Sequence, residues 1–297
     1  MDSFYSIILY IKCKDTMEIS MNYKRILTIQ DISCVGQCSL TVALPILSAC
    51  GHETAILPSA VLSTHTAGFK NFTFRDLTDD MPSIEKHWNS ENIKFDSIYT
   101  GYLGSIKQID YVSSIFQSTI KDGAPIIVDP AMGDNGSLYS IFNIEYAKAM
   151  AKLCAKADIV LPNITEAAFM TDYPYKDKYD ESYIKGLCEA LVASGMKTIV
   201  LTGVSYTQDT TGVVVYENGN YQYYKHQKLG KGCHGTGDIY ASAFVGAYLH
   251  GKTTIEAAQI AADYVLECIK ITQGDDSHWY GAKFEPVLGT LIHALYK

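Results

Sequence analysis

Two apolar runs on either side of a helix-like segment decide the fold: Pro125-Ile126-Ile127-Val128-Asp129, residues 144–156, and Asp158-Ile159-Val160-Leu161. The two runs are short and rich in β-branched residues, which is typical of buried strands. Residues 144–156 have the apolar spacing of an amphipathic helix. A strand, a helix and a strand in this order predict a parallel β-α-β unit.

The same alternation extends from this unit in both directions. Further strands are predicted at residues 25–30, 54–57, 97–100 and 198–202, and a hairpin at 212–216 and 221–225. Further helices are predicted at 39–50, 106–121, from about 165, and at 181–194, 235–249, 255–272 and 286–296. The pattern indicates an α/β protein, a three-layer α/β/α sandwich around a mostly parallel central sheet.

Composition places the chain among folded globular proteins, with 297 residues, 47% hydrophobic and 19% charged. Residues 21–297 are interpreted as one domain, because no composition break marks a linker. Residues 1–20 are interpreted as an N-terminal extension, and their apolar run at 4–11 is too short to span a bilayer. We therefore expect no membrane association.

The net charge and the cysteine spacing argue against nucleic-acid binding, a disulfide framework and a zinc ribbon. A formal net charge of −8 would repel a nucleic-acid backbone, so nucleic acid is not an expected partner. The eight cysteines form no Cys-x-x-Cys pair, which disfavours a disulfide framework and a zinc ribbon. A cytoplasmic location is expected.

The segment Lys231-Gly232-Cys233-His234-Gly235-Thr236-Gly237-Asp238 precedes a run of small and apolar residues. Glycines at the start of a helix let backbone N–H groups approach an anion closely, so this segment predicts a phosphate site. Asp238 beside that phosphate could deprotonate an alcohol. Taken alone, the segment is more typical of an ordinary loop in which Asp238 caps the helix.

Carboxylates follow two of the predicted strands. Asp129 and Asp134 lie in Asp129-Pro130-Ala131-Met132-Gly133-Asp134, and Glu166 lies in Asn163-Ile164-Thr165-Glu166. The carboxyl ends of parallel strands form the usual ligand-binding edge of an open sheet, and Mg²⁺ prefers carboxylates together with phosphate oxygens. Asp129, Asp134 and Glu166 are therefore candidate Mg²⁺ ligands. Asn163 and Glu166 also have the spacing of a helix-capping box, which is compatible with a metal role.

These motifs, with Thr100-Gly101-Tyr102-Leu103-Gly104-Ser105, resemble the ribokinase-like superfamily, and in particular its pyridoxal (vitamin B6) kinase branch. The resemblance spans roughly residues 25–272. It implies ATP-dependent phosphorylation of the 5′-hydroxymethyl group of pyridoxal, pyridoxine or pyridoxamine, with Mg²⁺ as cofactor. A monovalent cation is a further candidate cofactor, and a homodimer is the implied assembly.

The resemblance also assigns roles. Asp238 would be the catalytic base, with Gly235, Thr236 and Gly237 as the anion hole. A second set of residues would bind ATP: Asn163, Glu166, Thr202, Gly203 and Lys231. Lys231 is equally typical of an exposed structural lysine.

Substrate-binding candidates come from three segments. Asp31 stands where the family commonly has a serine, and a carboxylate there would favour a protonated pyridine nitrogen or an amine. Ser59 and His65 belong to a polar segment expected after a strand, and Tyr102 would flank the substrate ring. His65 and Tyr102 also fit purely structural roles, a hydrogen-bonded core histidine and a packed aromatic ring.

Two alternatives remain open. A hydroxymethylpyrimidine kinase of thiamin synthesis shares the scaffold and acts on a similar primary alcohol. A catalytically silent nucleotide-binding sensor would need no base, so the presence of Asp238 argues against it. A sugar kinase is disfavoured, because the Tyr102 region suits a flat aromatic ring.

Overall fold

The computed structural model describes residues 23–230 and 233–297. The predicted extension at residues 1–20 and the ATP candidate Lys231 lie outside these ranges. Within them the chain forms a nine-stranded sheet in the order β11-β10-β9-β8-β5-β4-β1-β2-β3, and a separate two-stranded sheet of β6 and β7. The six strands from β9 to β2 pair in parallel, whereas β10, β11 and β3 pair antiparallel at the edges.

The strands are β1 (Arg25–Ser33), β2 (Glu53–Leu62), β3 (Phe74–Asp76), β4 (Ser97–Thr100), β5 (Ile126–Val128), β6 (Gly133–Asp134), β7 (Ser137–Leu138), β8 (Ile159–Val160), β9 (Thr198–Leu201), β10 (Thr210–Glu217) and β11 (Asn220–Gln227). The helices are α1 (Leu40–Ala49), α2 (Met81–Ser90), α3 (Ile106–Ser118), α4 (Ile144–Cys154), α5 (Ile164–Thr171), α6 (Glu181–Ala193), α7 (Thr236–Leu249), α8 (Thr254–Thr272) and α9 (Leu288–Leu295). Short 3₁₀ turns at Asp276–His278 and Glu285–Val287 precede α9.

Two hydrophobic cores separate the three layers. One core lies between the sheet and helices α2 to α6 and includes Leu27, Ile98 and Val128. The other lies between the sheet and helices α1, α7, α8 and α9 and includes Ile26 and Phe244. Adjacent residues of one strand, such as Ile26 and Leu27, thus serve opposite cores, as the alternation of a pleated strand requires. The predicted α/β/α sandwich is confirmed.

Helix α7 is the most enclosed element of the second layer. Ten of its fourteen residues are buried, and its small side chains pack against α1 and α8. Gly246 illustrates the closeness, because a Cβ atom there would lie 2.4 Å from Sγ of Cys50. The helix that begins at the glycine segment is therefore held by packing on most of its circumference.

Several boundaries differ from the predictions. Strand β1 continues past residue 30 to Ser33, and β2 extends from Glu53 to Leu62. Ser59 therefore lies inside a strand, which corrects the prediction that it follows one. The short elements β3, α2, β6 and β7 were not predicted.

Two further observations concern the hydrophobicity of the helices and the state of the cysteines. In the described part of the chain no helix is both long enough and apolar enough to cross a membrane. The cysteines it contains, Cys34, Cys38, Cys50, Cys154, Cys188, Cys233 and Cys268, are all free thiols.

Candidate active site

Helix α7 begins at the glycine segment with a geometry that requires glycine. Gly235 is the N-cap residue at φ 78°, and a Cβ atom there would lie only 1.7 Å from the carbonyl oxygen of Gln37. At Gly237, by contrast, no atom lies within 4 Å of a Cβ position, so this face of the first turn is open. An open helix N-terminus with accessible backbone is suited to an anion such as a phosphate.

Asp238 occupies the third position of α7 and makes no side-chain capping bond. The alternative in which Asp238 caps the helix is therefore wrong, since the cap residue is Gly235. The side chain of Asp238 is partly accessible to solvent. Desolvation raises the pKa of Asp238 to about 7, the nearby backbone N–H of Ser39 opposes this rise, and the charge of Asp31 adds to it. A carboxyl with this pKa can exchange a proton near neutral pH.

Asp31 lies at a bulge between two parallel strands. The register shifts between Gln30 and Ile32, so that Asp31 faces two residues of β2, Ser59 and Ala60. The buried carboxylate accepts hydrogen bonds from Ser33 Oγ at 2.9 Å and from Ser39 Oγ at 2.5 Å. Desolvation raises the pKa of Asp31, and these two hydroxyl donors oppose the rise. The carboxylate is thus held in a fixed orientation close to Asp238.

Ser39 connects the two carboxyls and adopts an unusual backbone conformation. It is the N-cap residue of α1, with φ 54° and ψ −132°, a region that residues with a Cβ atom rarely occupy. Its hydroxyl donates to Asp31, and its backbone N–H lies near Asp238 and lowers the pKa of that carboxyl. Sequence reasoning did not select Ser39, because its role depends on this backbone geometry rather than on a motif.

Asn163 and Glu166 form the capping box that their spacing suggested. Asn163 Oδ1 accepts from the N–H of Glu166 at 3.0 Å, and Glu166 Oε2 accepts from the N–H of Asn163 at 2.8 Å. Both side chains also hold the segment that follows Asp129, because Glu166 Oε1 accepts from Met132 N–H and Asn163 Nδ2 donates to Gly133 O. These residues therefore fasten two strand ends together, at β5 and β8.

Three acidic side chains concentrate negative charge at this edge of the sheet. Burial, followed by the charges of Glu166 and Asp238, raises the pKa of Asp129. Desolvation raises the pKa of Glu166 to about 7, against the hydrogen bonds from the backbone N–H groups of Asn163 and Met132, which lower it. A triphosphate would be repelled here unless a cation neutralised part of the charge.

The donor chemistry fits Mg²⁺ held by few protein ligands. Asp129 accepts one backbone hydrogen bond, from Ala131 to Oδ1, whereas both oxygens of the exposed Asp134 accept from Asn135 and both of Glu166 accept from backbone. Across residues 23–230 and 233–297 no group of three His, Cys, Asp or Glu side chains could enclose a metal. Mg²⁺ commonly binds through one or two carboxylates, waters and substrate phosphates, so Asp129 is the best-placed candidate of the three.

Thr202 and Gly203 follow β9 beside the capping box. The N–H of Thr202 donates to Pro162 O at 2.9 Å, and Asn163 and Thr202 form an isolated parallel bridge. Gly203 has φ 73°, and no atom lies within 4 Å of a Cβ position there. The two ATP candidates are thus brought next to Asn163 with an open backbone surface.

Ser59 and Tyr102 lie next to each other near Asp31. Ser59 Oγ donates to Tyr102 O at 3.4 Å. Burial raises the pKa of Tyr102 to about 12, with the charges of Asp31 and Asp76 as further causes. The ring of Tyr102 is half-buried and lies 5.7 Å from the ring of Phe142. The structure therefore brings these two substrate-binding candidates together near Asp31.

Both ring nitrogens of the buried His65 already have protein partners. Nε2 lies 2.6 Å from Tyr280 O, and Nδ1 accepts from the N–H of Ala67 at 3.1 Å. Nε2 must therefore carry the proton and donate it to Tyr280 O. Of the two interpretations left open for His65, the geometry favours the hydrogen-bonded core histidine.

Tyr139 is a site residue that the sequence motifs did not single out. Desolvation raises the pKa of its hydroxyl, followed by the charges of Glu166, Asp129, Asp238 and Asp134, and its backbone N–H donates to Met132 O at 2.9 Å, which places Tyr139 beside the segment that follows Asp129. It follows directly after β7, so only the fold of this hairpin brings it to the acidic edge.

A sequence model of the phosphomethylpyrimidine kinase family matches residues 49–287. Among solved structures, a phosphomethylpyrimidine kinase from Bacteroides thetaiotaomicron is 36% identical and superposes with a TM-score of 0.87, covering 90% of this chain and 93% of that one. An orthorhombic crystal form described in the same words, with pyridoxal, is 35% identical with a TM-score of 0.84, covering 92% and 96%. The pyridoxal kinase of Lactobacillus plantarum is 31% identical with a TM-score of 0.84, covering 91% and 97%.

Proposed function

Because the chain belongs to the phosphomethylpyrimidine kinase family, whose members are ATP-dependent small-molecule kinases, we propose that it phosphorylates the 5′-hydroxymethyl group of a B6 vitamer. The observation that carries the proposal is the position of Asp238, in the first turn of α7 beside an open glycine backbone. A base there faces both a phosphate and an alcohol.

In this proposal Asp238 accepts the proton of the substrate hydroxyl as the oxygen attacks the γ-phosphorus of ATP. The new O–P bond forms as the bond to the β-phosphate oxygen breaks, and ADP leaves. The pKa of Asp238, about 7, leaves a substantial fraction of this carboxyl deprotonated at neutral pH. A general base is most effective when its pKa lies near the pH at which the enzyme works.

The backbone at Gly235, Thr236 and Gly237 receives the transferring phosphoryl group. Phosphoryl transfer depends mainly on positioning and charge stabilisation, which the N-terminus of α7 supplies through its N–H groups and dipole. Asn163, Thr202 and Gly203 hold the rest of the nucleotide, and Glu166 supports that edge through its backbone hydrogen bonds.

Asp129 is the principal proposed ligand of Mg²⁺, with Asp134 and Glu166 as further candidates. When bound, Mg²⁺ neutralises phosphate charge and orients the phosphates. The concentration of carboxyls around Asp129 supports this assignment, because they would otherwise oppose ATP binding. A monovalent cation at the same edge is a further proposal on the same ground.

The ring of the substrate is proposed to lie between Tyr102 and Asp31. A vitamer is favoured over hydroxymethylpyrimidine because one similar structure, at 35% identity, contains pyridoxal, and another, at 31%, is a pyridoxal kinase. Hydroxymethylpyrimidine is the second candidate, since the matching family is described as phosphomethylpyrimidine kinase. If Asp31→Ser leaves the ranking of pyridoxamine against pyridoxal unchanged, Asp31 does not set selectivity.

The test is a substrate panel with purified protein and Mg-ATP: pyridoxal, pyridoxine, pyridoxamine and hydroxymethylpyrimidine. We expect the highest kcat/KM with a vitamer, and a loss of about 10²–10⁴-fold in kcat for Asp238→Asn. Asp110→Asn, an exposed carboxylate on α3, is the matched control and should retain full activity. A higher kcat/KM with hydroxymethylpyrimidine would favour the second candidate, and ATP binding without turnover would favour a sensor.

A further inference from the structure

A tyrosine hydroxyl closes the loop that follows β9. Tyr179 OH accepts a hydrogen bond from the N–H of Ser205 at 2.9 Å and donates to the carbonyl oxygen of Gly203 at 3.4 Å. Both ends of the turn at residues 203–205 are therefore tied to one atom. Tyr179 itself belongs to the connection between α5 and α6, so this contact crosses 24 and 26 residues of sequence.

Two further bonds hold the middle of the same turn. Val204 is buried, its N–H donates to Gly212 O at 3.0 Å, and its carbonyl accepts from Tyr223 OH at 3.1 Å. Tyr223 lies on β11. The inner side of the turn is thus fixed by backbone, by one buried side chain and by two tyrosine hydroxyls.

The opposite side of the turn is open. Gly203 is exposed, at φ 73°, with no atom within 4 Å of a Cβ position. Thr202, one residue earlier, is anchored to Pro162 beside Asn163. The turn is therefore held rigid on its inner side and exposed on its outer side. A ligand can bind to such a backbone without the loss of conformational entropy that ordering a flexible loop would cost.

The ring of Tyr179 is held in place by other rings. It stacks on Tyr183 with a centroid distance of 5.7 Å and an interplanar angle of 26°, and it meets Tyr206 edge to face at 6.1 Å. Tyr183 donates its own hydroxyl elsewhere, to Pro174 O at 2.8 Å. Tyr179 and Tyr183 therefore share one cluster, but only Tyr179 bonds to the 203–205 turn.

We propose that Tyr179 is a positioning residue for the nucleotide, acting through the 203–205 turn rather than by touching ATP. The inference rests on the proposed function, which places the nucleotide at Thr202 and Gly203. Loss of the hydroxyl frees both ends of the turn, and the binding-ready backbone becomes one of several conformations. Nucleotide affinity falls as a result, whereas the vitamer side of the site, near Asp31 and Tyr102, is unaffected.

The experiment compares Tyr179→Phe with Tyr183→Phe, which removes a hydroxyl from the same cluster without touching the turn. For each variant and the wild type we would measure the Kd for ADP by calorimetry, the KM for ATP, the KM for the vitamer and the melting temperature. Tyr179→Phe should raise the Kd for ADP and the KM for ATP by about three- to tenfold with the vitamer KM unchanged. Tyr223→Phe should act in the same direction, and Tyr183→Phe should leave all three constants unchanged.

The possible failures are distinguishable. If the wild type binds ADP but Tyr179→Phe binds it equally well, the inference is overturned and the proposed function stands. If both KM values rise together, or if Tyr183→Phe has the same effect as Tyr179→Phe, the role is general to the cluster and the inference is also overturned. If the wild type binds no nucleotide, the proposed function fails and the inference with it.

Discussion

The hydroxyl of Ser39 donates a hydrogen bond to Oδ1 of Asp31 at 2.5 Å, and the backbone N–H of the same serine lies near Asp238 and lowers the pKa of that carboxyl. The two carboxyls, one on β1 and one on α7, are thereby linked through the residue between β1 and α1. Since like charges raise each other's pKa, the state of Asp31 affects the protonation of Asp238.

This link predicts a pH dependence. Asp238 must be deprotonated to accept the substrate proton, so kcat/KM should rise with pH through a midpoint near the folded pKa of about 7. Asp31→Asn removes one negative charge, lowers the pKa of Asp238 and shifts the midpoint to lower pH. The measurement is the pH profile of kcat/KM for wild type and variant with one substrate, so that substrate ionisation is common to both. An unchanged midpoint would show that Asp31 does not influence the base.

The two glycines at the start of α7 should respond differently to alanine. Gly235→Ala places a Cβ atom against Gln37 O at positive φ, which should lower the free energy of unfolding by about 1–3 kcal/mol and reduce kcat. Gly237→Ala meets no atom and should leave the melting temperature unchanged or higher, while a methyl group in the phosphate space raises the KM for ATP. Equal melting temperatures for both variants would contradict the packing described at Gly235.

The capping box at α5 has a matched counterpart at α8, formed by Thr253 and Glu256. Asn163→Ala and Thr253→Ala should each cost about 1 kcal/mol of stability, because each removes an N-cap acceptor. Only Asn163→Ala should also raise the KM for ATP, because Asn163 holds Gly133 and adjoins Thr202. Chemical denaturation and ATP kinetics separate the two effects, and an equal KM change in both variants would rule out a nucleotide role for Asn163.

Removal of Mg²⁺ by EDTA should abolish turnover, and two carboxylates can be compared for their part in this requirement. Asp129→Asn should raise the Mg²⁺ concentration for half-maximal activity by about 10–100-fold. Asp134→Asn should change it much less, because both Asp134 oxygens already accept from Asn135 and the side chain is exposed. The reverse order would make Asp134 the principal ligand.

The sheet and most of its helices could be predicted because their apolar periodicity is strong. Helix α2 has one fully buried residue, Met81, with Ile84 and Trp88 partly buried on the same face, so its helical periodicity rests on three apolar residues in a mostly polar segment and was missed. Strand β3 consists of three exposed residues and has no periodic signal. Strand β2 was predicted too short because Pro58 and Ser59 interrupt its apolar run; the bulge opposite Asp31 accommodates them.

The residues of the candidate site also fall into those that a local sequence motif reveals and those that only the folded structure reveals. Asp238, Asp129 and the Asn163–Glu166 pair could be selected because each belongs to a local motif at a strand end or helix start. Ser39 could not, because its place between Asp31 and Asp238 depends on a positive φ that no motif predicts. His65 shows the opposite limit, since its polar neighbourhood suggested a ligand whereas two backbone groups occupy its ring.

The enclosure of α7 determines which parts of the enzyme can move during turnover. A helix with ten of fourteen residues buried cannot hinge, so the proposed phosphate site at its N-terminus is stationary, and any motion during turnover is expected in the surrounding loops. In deuterated water the amides in the middle of α7 should exchange only when the whole molecule unfolds. Helix α7 would then unfold only together with the rest of the protein. Loss of activity on heating should therefore follow the same curve as global unfolding.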